Sequence, residues 1–223
     1  MYNGLMSIRK VSFAPGEYYH IYNRGNSKQK IFQDKEDYIH FAGLLYACNQ
    51  KENFKADNLQ KGQSLYNIEK HSNLVSVGAY CLMPNHFHLL ITQDNDGDIS
   101  KFMQKFSTAY VMYYNKKYKR TGGLFEGKFK SQHAETDRYL KYLFSYIHLN
   151  PVKIIDKDWK ERGIKNKNVT LDFLKNYTAS SFLDYVGTKR VQNKILNTKV
   201  FPRYFENKHE FTSEIFEWLS YKT

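Results

Sequence analysis

Two histidines one residue apart, His86 and His88, are the side chains whose type and spacing first suggest chemistry in this chain. They lie in the stretch SVGAYCLMPNHFHLLIT, inside residues 75–92, which reads as two strands joined by a turn at Met83, Pro84 and Asn85. Strand side chains alternate between faces, so His86, His88 and Leu90 project one way while Phe87, Leu89 and Ile91 project the other. Two imidazoles held side by side on a strand can coordinate one divalent cation if a third ligand arrives from elsewhere. Taken alone, a His-x-His pair is more often surface or hydrogen-bonded filler, so the rest of the sequence has to decide.

A helix predicted over residues 137–150 displays Tyr146 and Asn150 four positions apart, hence on one face. A phenol and a carboxamide at the end of one helix can offer a nucleophile and the missing ligand to a single site. Tyrosine ionises near pH 10, so it needs a cation or base beside it before it attacks. A divalent metal on His86, His88 and Asn150 would bind a scissile phosphate and stabilise the charge that develops there. The attacking phenolate would then replace one DNA oxygen by another, leaving a phosphotyrosine diester that a free hydroxyl can reverse. With 19 tyrosines in the chain such a spacing also arises by chance, and a core role for Tyr146 stays open. Tyr139 and Tyr142 compete as nucleophiles on the same helix, and His148 falls on another face, where it is structural or phosphate-facing.

The elements that must position these residues follow from periodicity. Residues 17–24 alternate and are rich in aromatics, which predicts a first strand closed by Gly25 and Asn26. Asp34 is a predicted N-cap for a helix to about residue 49, with Tyr38, Phe41, Ala42, Leu45 and Tyr46 as its buried stripe. Residues 52–72 read as a long connecting loop, and residues 1–12 as a loosely held arm. After the two central strands, Asp98 or Ser100 caps a predicted helix to about residue 119, along which Phe102, Phe106, Ala109, Tyr110, Tyr113 and Tyr114 recur at helical spacing. Core packing is the favoured reading of that stripe over base stacking. A break at residues 119–123 precedes an extended segment over residues 124–132, and Pro151 ends the tyrosine helix. Beyond residue 152 the pattern weakens to short helical pieces, including residues 180–186 and 211–219. The division expected is a main domain over residues 1–152 and a helical extension over residues 153–223 that packs back on it.

Lys and Arg outnumber Asp and Glu by 34 to 22, a net charge of +12, and the chain carries 19 Tyr and 16 Phe. Excess cation concentrates polyanions, and interleaved aromatics offer stacking surfaces for unpaired bases, so nucleic acid is the leading partner. Cys48 and Cys81 sit in core-like segments without Cys-x-x-Cys spacing, which argues against a zinc knuckle or a disulfide scaffold. No apolar run approaches membrane-spanning length and no apolar signal core opens the chain, which predicts a cytoplasmic, nucleoid-associated protein.

The order LMPNHFHLLI, a long helix, GGLFEGKFKS and DRYLKYLFSYIHLNPVK resembles the REP-associated tyrosine transposases, within the single-tyrosine HUH transposases. The opening YYHIYNRGNSKQKIF and the later YTASSFLDYVG fit as well, so the likeness spans residues 15–188. The resemblance implies an α+β fold, a ferredoxin-like or RRM-like antiparallel sheet with helices packed on it. It also implies His86 and His88 as metal ligands, Asn150 as the third ligand, Tyr146 as nucleophile, and Mg2+ or Mn2+ as the metal. The implied substrate is single-stranded DNA carrying hairpins of the repetitive extragenic palindrome type, cut to a 5′-phosphotyrosine and a free 3′ hydroxyl by a monomer or homodimer. Lys130 and Lys153 flank the motifs as candidate DNA contacts, with ordinary solvated lysines the equal alternative. The wider group often has glutamine where this chain has Asn150, one methylene shorter. Two rivals remain at this point: an inactive hairpin-binding protein of the same fold, and a metal-dependent hydrolase that activates water.

Overall fold

Which face of the sheet each side chain takes, and which helix covers that face, decides where the candidate chemistry sits. The computed structural model describes residues 12–52 and 63–217. The expected N-terminal arm up to residue 11, residues 53–62 of the expected loop and residues 218–219 of the last expected helix lie outside the described residues. In chain order the first six elements are β1 (Tyr18–Arg24), α1 (Lys35–Ala47), β2 (Val75–Met83), β3 (His86–Gln93), α2 (Asp98–Lys117) and β4 (Lys130–His133). The sheet order is β2-β3-β1-β4 with every neighbouring pair antiparallel. This β-α-β-β-α-β order is the expected ferredoxin-like, α+β palm.

One face of the sheet forms the larger core. Tyr19, Ile21, Phe87, Leu89 and Ile91 meet Phe41, Leu44 and Leu45 of α1 and Phe102, Phe106 and Tyr110 of α2. The aromatic stripe of α2 is therefore core, as favoured from its spacing, and Phe41 packs edge-on to Phe106 with ring centroids 4.6 Å apart. Full burial of one such side chain contributes about 1.5–3 kcal/mol. α1 starts at Asp34, which forms a reciprocal capping box with Asp37. α2 departs from expectation at its start. Gly97, in the left-handed region at φ 82°, is the N-cap, and Asp98 is the first helical residue. The Ile99 amide donates instead to Gln93 Oε1 at 2.9 Å, so a side chain at the end of β3 caps the helix.

The opposite face is covered by α3 (Asp137–Leu149), whose Leu140, Leu143, Phe144 and Ile147 meet Ala79, Cys81, Met83 and Leu90. A bulge between Val77 and Ala79 inverts the alternation of β2, so Val75 and Val77 face the larger core while Ala79, Cys81 and Met83 face the smaller one. The extra residue is Gly78, where a Cβ would approach the Phe201 ring to 2.8 Å. α3 does not stop cleanly before Pro151. It runs into a 3-10 turn, Asn150–Ile154, with Pro151 at the start of that turn, where a missing amide costs no hydrogen bond.

Four short α-helices follow among the described residues: α4 (Trp159–Arg162), α5 (Lys167–Asn176), α6 (Phe182–Tyr185) and α7 (Lys208–Glu217). Trp159, Leu174, Phe182, Phe211 and Ile215 form a third cluster with Leu149 and Val152. Ser180 bridges to Cys81, so residues 179–181 run along the outer edge of β2 and cover it. Ile195 joins the larger core and Phe201 the smaller one. Both cysteines are buried and unpaired. Among the described residues no helix is long and apolar enough to cross a membrane.

Candidate active site

Strand parity puts His86 and His88 on the α3 face of β3, the strand second from the β2 edge. In register, His88 stands between Cys81 of β2 and Tyr22 of β1, and His86 stands between Met83 and Arg24. The two imidazoles meet at right angles with centroids 5.0 Å apart. α3 crosses over them and delivers Tyr146, whose ring is edge-on to His88 at 5.5 Å and to His20 at 5.8 Å. One turn later Asn150 places its Oδ1 3.4 Å from His86 Nε2. The four residues expected to form one site are therefore together, and Tyr146 lies over the histidines of its own chain.

The hydrogen bonds constrain the imidazoles. His86 Nδ1 is 2.7 Å from Asn85 Oδ1, an atom that can only accept, so this nitrogen carries a proton. A neutral ring then presents a lone pair at Nε2 toward the Asn150 oxygen. Burial holds His86 below its ordinary pKa, reinforced by Lys153 and Arg24 and opposed by Asn150. A second proton, which would turn that facing pair of acceptors into a hydrogen bond, is thus disfavoured. His88 Nδ1 is 2.8 Å from His20 Nε2, while His88 Nε2 is buried with no hydrogen-bond partner. Burial, then the neighbouring His20, His86 and Lys160, holds His88 well below the usual range. His20 is pushed down to about 3 by burial, with Lys160 acting in the same direction. Neutral imidazoles with one nitrogen held by a neighbour and the other bare are the form in which histidine binds metal. Together with the Asn150 oxygen they fit a divalent cation, because it would satisfy both the orphaned His88 Nε2 and the facing acceptors of His86 and Asn150. Among the described residues no group of three or more His, Cys, Asp or Glu side chains makes a metal cage.

The competing tyrosines separate on environment. Burial pushes Tyr139 up to about 12 and raises Tyr142, opposite to what a nucleophile needs. Tyr146 instead has the Lys160 ammonium 4.0 Å from its ring centroid. His148 proves structural: it is fully buried, with Nδ1 2.8 Å from the Phe144 carbonyl and Nε2 2.7 Å from Ser181 Oγ. Lys153 is exposed in the 3-10 turn, and its charge reaches His86. Lys130 is exposed on β4, paired in register with Tyr22, and is not among the residues lining the cavity beside Tyr146.

Two participants escaped the sequence reading. His20 alternates correctly with Tyr22 in the first strand, but only the sheet order places that strand beside β3. Lys160 comes from α4, beyond the region where periodicity was informative, and no local signal marks it.

Comparison with known proteins covers the same residues. The family model described as transposase IS200-like matches residues 15–150, more than half of the chain, and includes His86, His88, Tyr146 and Asn150. Among solved structures, the chain is similar to a REP-associated tyrosine transposase bound to a REP hairpin. The identity is 13% over 84% of this chain and 90% of that chain, with a TM-score of 0.48. No curated protein matches the sequence.

Proposed function

This chain belongs to the IS200-like transposase family, and from that premise we propose that it is a metal-dependent single-stranded DNA endonuclease and strand transferase acting through Tyr146. The observation that carries the reading is the junction of Tyr146 with the His86/His88 pair and Asn150, where His88 Nε2 is buried without a partner and His86 Nε2 faces Asn150 Oδ1 at 3.4 Å. Its substrate is single-stranded DNA with hairpins of the repetitive extragenic palindrome type.

In this reading His86 Nε2, His88 Nε2 and Asn150 Oδ1 hold Mg2+ or Mn2+, while Asn85 and His20 fix the two rings from behind. Bound there, the ion supplies Lewis-acid polarisation of the scissile phosphate and neutralises charge on its oxygens. Tyr146 gives up its phenolic proton to solvent water and its oxygen attacks phosphorus, with Lys160 over the ring where negative charge develops. A phosphorus–oxygen bond to tyrosine forms as the bond to the 3′ oxygen breaks, and that oxygen leaves as a 3′ hydroxyl after taking a proton. The diester retains the bond energy, so a second 3′ hydroxyl can reverse the step onto another strand. Lys153, beside His86, and Lys130, on β4, are the proposed contacts to flanking phosphates.

The test is a denaturing gel of the protein incubated with 5′- and 3′-labelled single-stranded hairpins from the flanks of its own gene, with Mg2+, Mn2+ or chelator. The expected result is metal-dependent cleavage with label retained at protein mass, lost in Tyr146→Phe. Cleavage that leaves a free 5′ phosphate and no adduct would instead favour water as nucleophile. Tight binding of those hairpins without cleavage would favour an inactive binding protein.

A further inference from the structure

The α3 face of the sheet opens into a cavity of about 300 Å³ that is continuous with His88 and Tyr146, bounded by β1, β3 and β4 on one side and by α3 and α4 on the other. Its α3 wall is a ladder of nearly parallel rings. Tyr139 and Tyr142 are 5.9 Å apart at 18°, and Tyr142 and Tyr146 are 5.9 Å apart at 13°. Residues 139, 142 and 146 share one helix face at the border of the buried stripe, and all three are half-buried. The apolar core beneath is already filled by Leu140, Leu143, Phe144 and Ile147, so packing alone does not require three tyrosines above it. Gln132 of β4 lines the cavity opposite, paired in register with His20 and therefore on the same face. Lys160 supplies a cation at the rim.

Parallel aromatic faces, a carboxamide and an ammonium around a volume at the lower end of the small-molecule range match one nucleotide unit. We infer that this cavity is a pocket for a single unpaired DNA base next to the phosphate attacked by Tyr146, stacked on Tyr142 and Tyr139 and read along its edge by Gln132. The inference rests on the endonuclease reading for its substrate class, while the pocket itself stands on the ladder and the register of Gln132. A carboxamide presents one donor beside one acceptor, the pattern that pairs with adenine N6 and N7, so adenine is the favoured occupant. Base choice at this position is thereby separated from recognition of any hairpin.

Binding without cleavage tests it. Fluorescently labelled dA8, dC8 and dT8, none of which can fold into a hairpin, are titrated by anisotropy against the full chain in chelator at fixed low salt and neutral pH. The wild type is expected to prefer dA8. Tyr142→Ala is expected to weaken all three oligomers by roughly 5- to 100-fold, the effect of losing one base–aromatic stack. Tyr142→Phe, which keeps the ring, should bind as the wild type does. Gln132→Ala should make the three affinities converge, and Gln132→Glu should shift preference toward dC8, whose exocyclic amine a carboxylate can accept from. Wild-type affinities in Tyr142→Ala, or an intact dA8 preference in Gln132→Ala, would overturn the pocket, as would the absence of binding to any oligomer. Because no metal or cutting is involved, a protein that shows this pattern but never forms an adduct keeps the pocket and loses the endonuclease reading. An adduct without the pattern loses the pocket alone.

Discussion

The proton on His86 has one place to be, and much of the site's chemistry follows from that. Asn85 Oδ1 takes it at Nδ1, which leaves Nε2 bare toward Asn150, and His20 Nε2 stands 2.8 Å behind His88 Nδ1. His86→Ala or His88→Ala should abolish both Mn2+ binding, measured by titration calorimetry, and DNA cleavage; either activity surviving intact would remove that histidine from the ligand set. Asn85→Ala should be milder, weakening Mn2+ by about 10- to 100-fold, the usual range for loss of a residue that orients a ligand. Unchanged affinity would show that Asn85 serves only the turn. The histidine pair and the Tyr146/Asn150 spacing were legible in the sequence because strand and helix periodicity fix which residues share a face. His20 was not, since its role depends on β1 lying next to β3, a non-local pairing that no local pattern encodes. Lys160, whose ammonium lies over the Tyr146 ring, was not legible either, because it is brought in by a helix distant in sequence.

The element that sets the position of the proposed nucleophile Tyr146 is α3, and its far side is fastened by a buried latch. His148 accepts from Ser181 through Nε2 while its Nδ1–H donates to Phe144, and Ser181 Oγ also accepts from the Tyr80 amide at 2.9 Å. The latch thus joins the tyrosine helix to the edge of β2 through the segment that covers that edge. Ser181→Ala should cost about 1–3 kcal/mol, because it leaves a buried imidazole nitrogen and a backbone amide unsatisfied, read from urea unfolding. A change under half of the lower figure would show that the latch is dispensable. Gly78→Ala should cost a similar amount by driving a methyl into the Phe201 ring, with Phe201→Leu partly restoring stability. Sequence periodicity found α2 and α3, where amphipathic stripes were strong, while α1, whose stripe is weak, was marked by its Asp34 cap. It missed the start of α2, where Gln93 caps from the preceding strand, and the continuation through Pro151, because both depend on neighbours rather than on the local residue.

Across the described residues, His20 and His148 are buried and His40 is half-buried, each held neutral, and this makes stability depend on pH. Burial lowers His20 and His148 to about 3 and His40 to about 4, from an ordinary value of 6.5. Their folded forms stay neutral while the unfolded chain takes up protons. The contribution is complete above about pH 6.5 and is lost progressively as pH falls toward the folded values, at up to about 1.4 kcal/mol per pH unit for each group. The melting temperature should therefore fall steadily from pH 7 to pH 4.5, and His148→Gln should make that slope shallower. A flat profile would contradict the buried neutral assignment. Residues beyond 153 take part in all three hydrophobic clusters, which supports treating them as part of one folding unit; the weak patterning there reflects short helices held by tertiary contacts more than by their own amphipathicity. Since Tyr146 sits over its own chain's histidines, a mixture of His88→Ala and Tyr146→Phe proteins should stay inactive, and restored cleavage would mean exchange of α3 between copies. The most direct test of the central claim is to map the DNA adduct itself. After metal-dependent cleavage, trypsin should release residues 142–153 carrying a phosphonucleotide, and fragmentation should place it on Tyr146. An adduct on Tyr142, or on Tyr139 in the preceding peptide, would contradict the assignment, and so would cut DNA with no modified tyrosine.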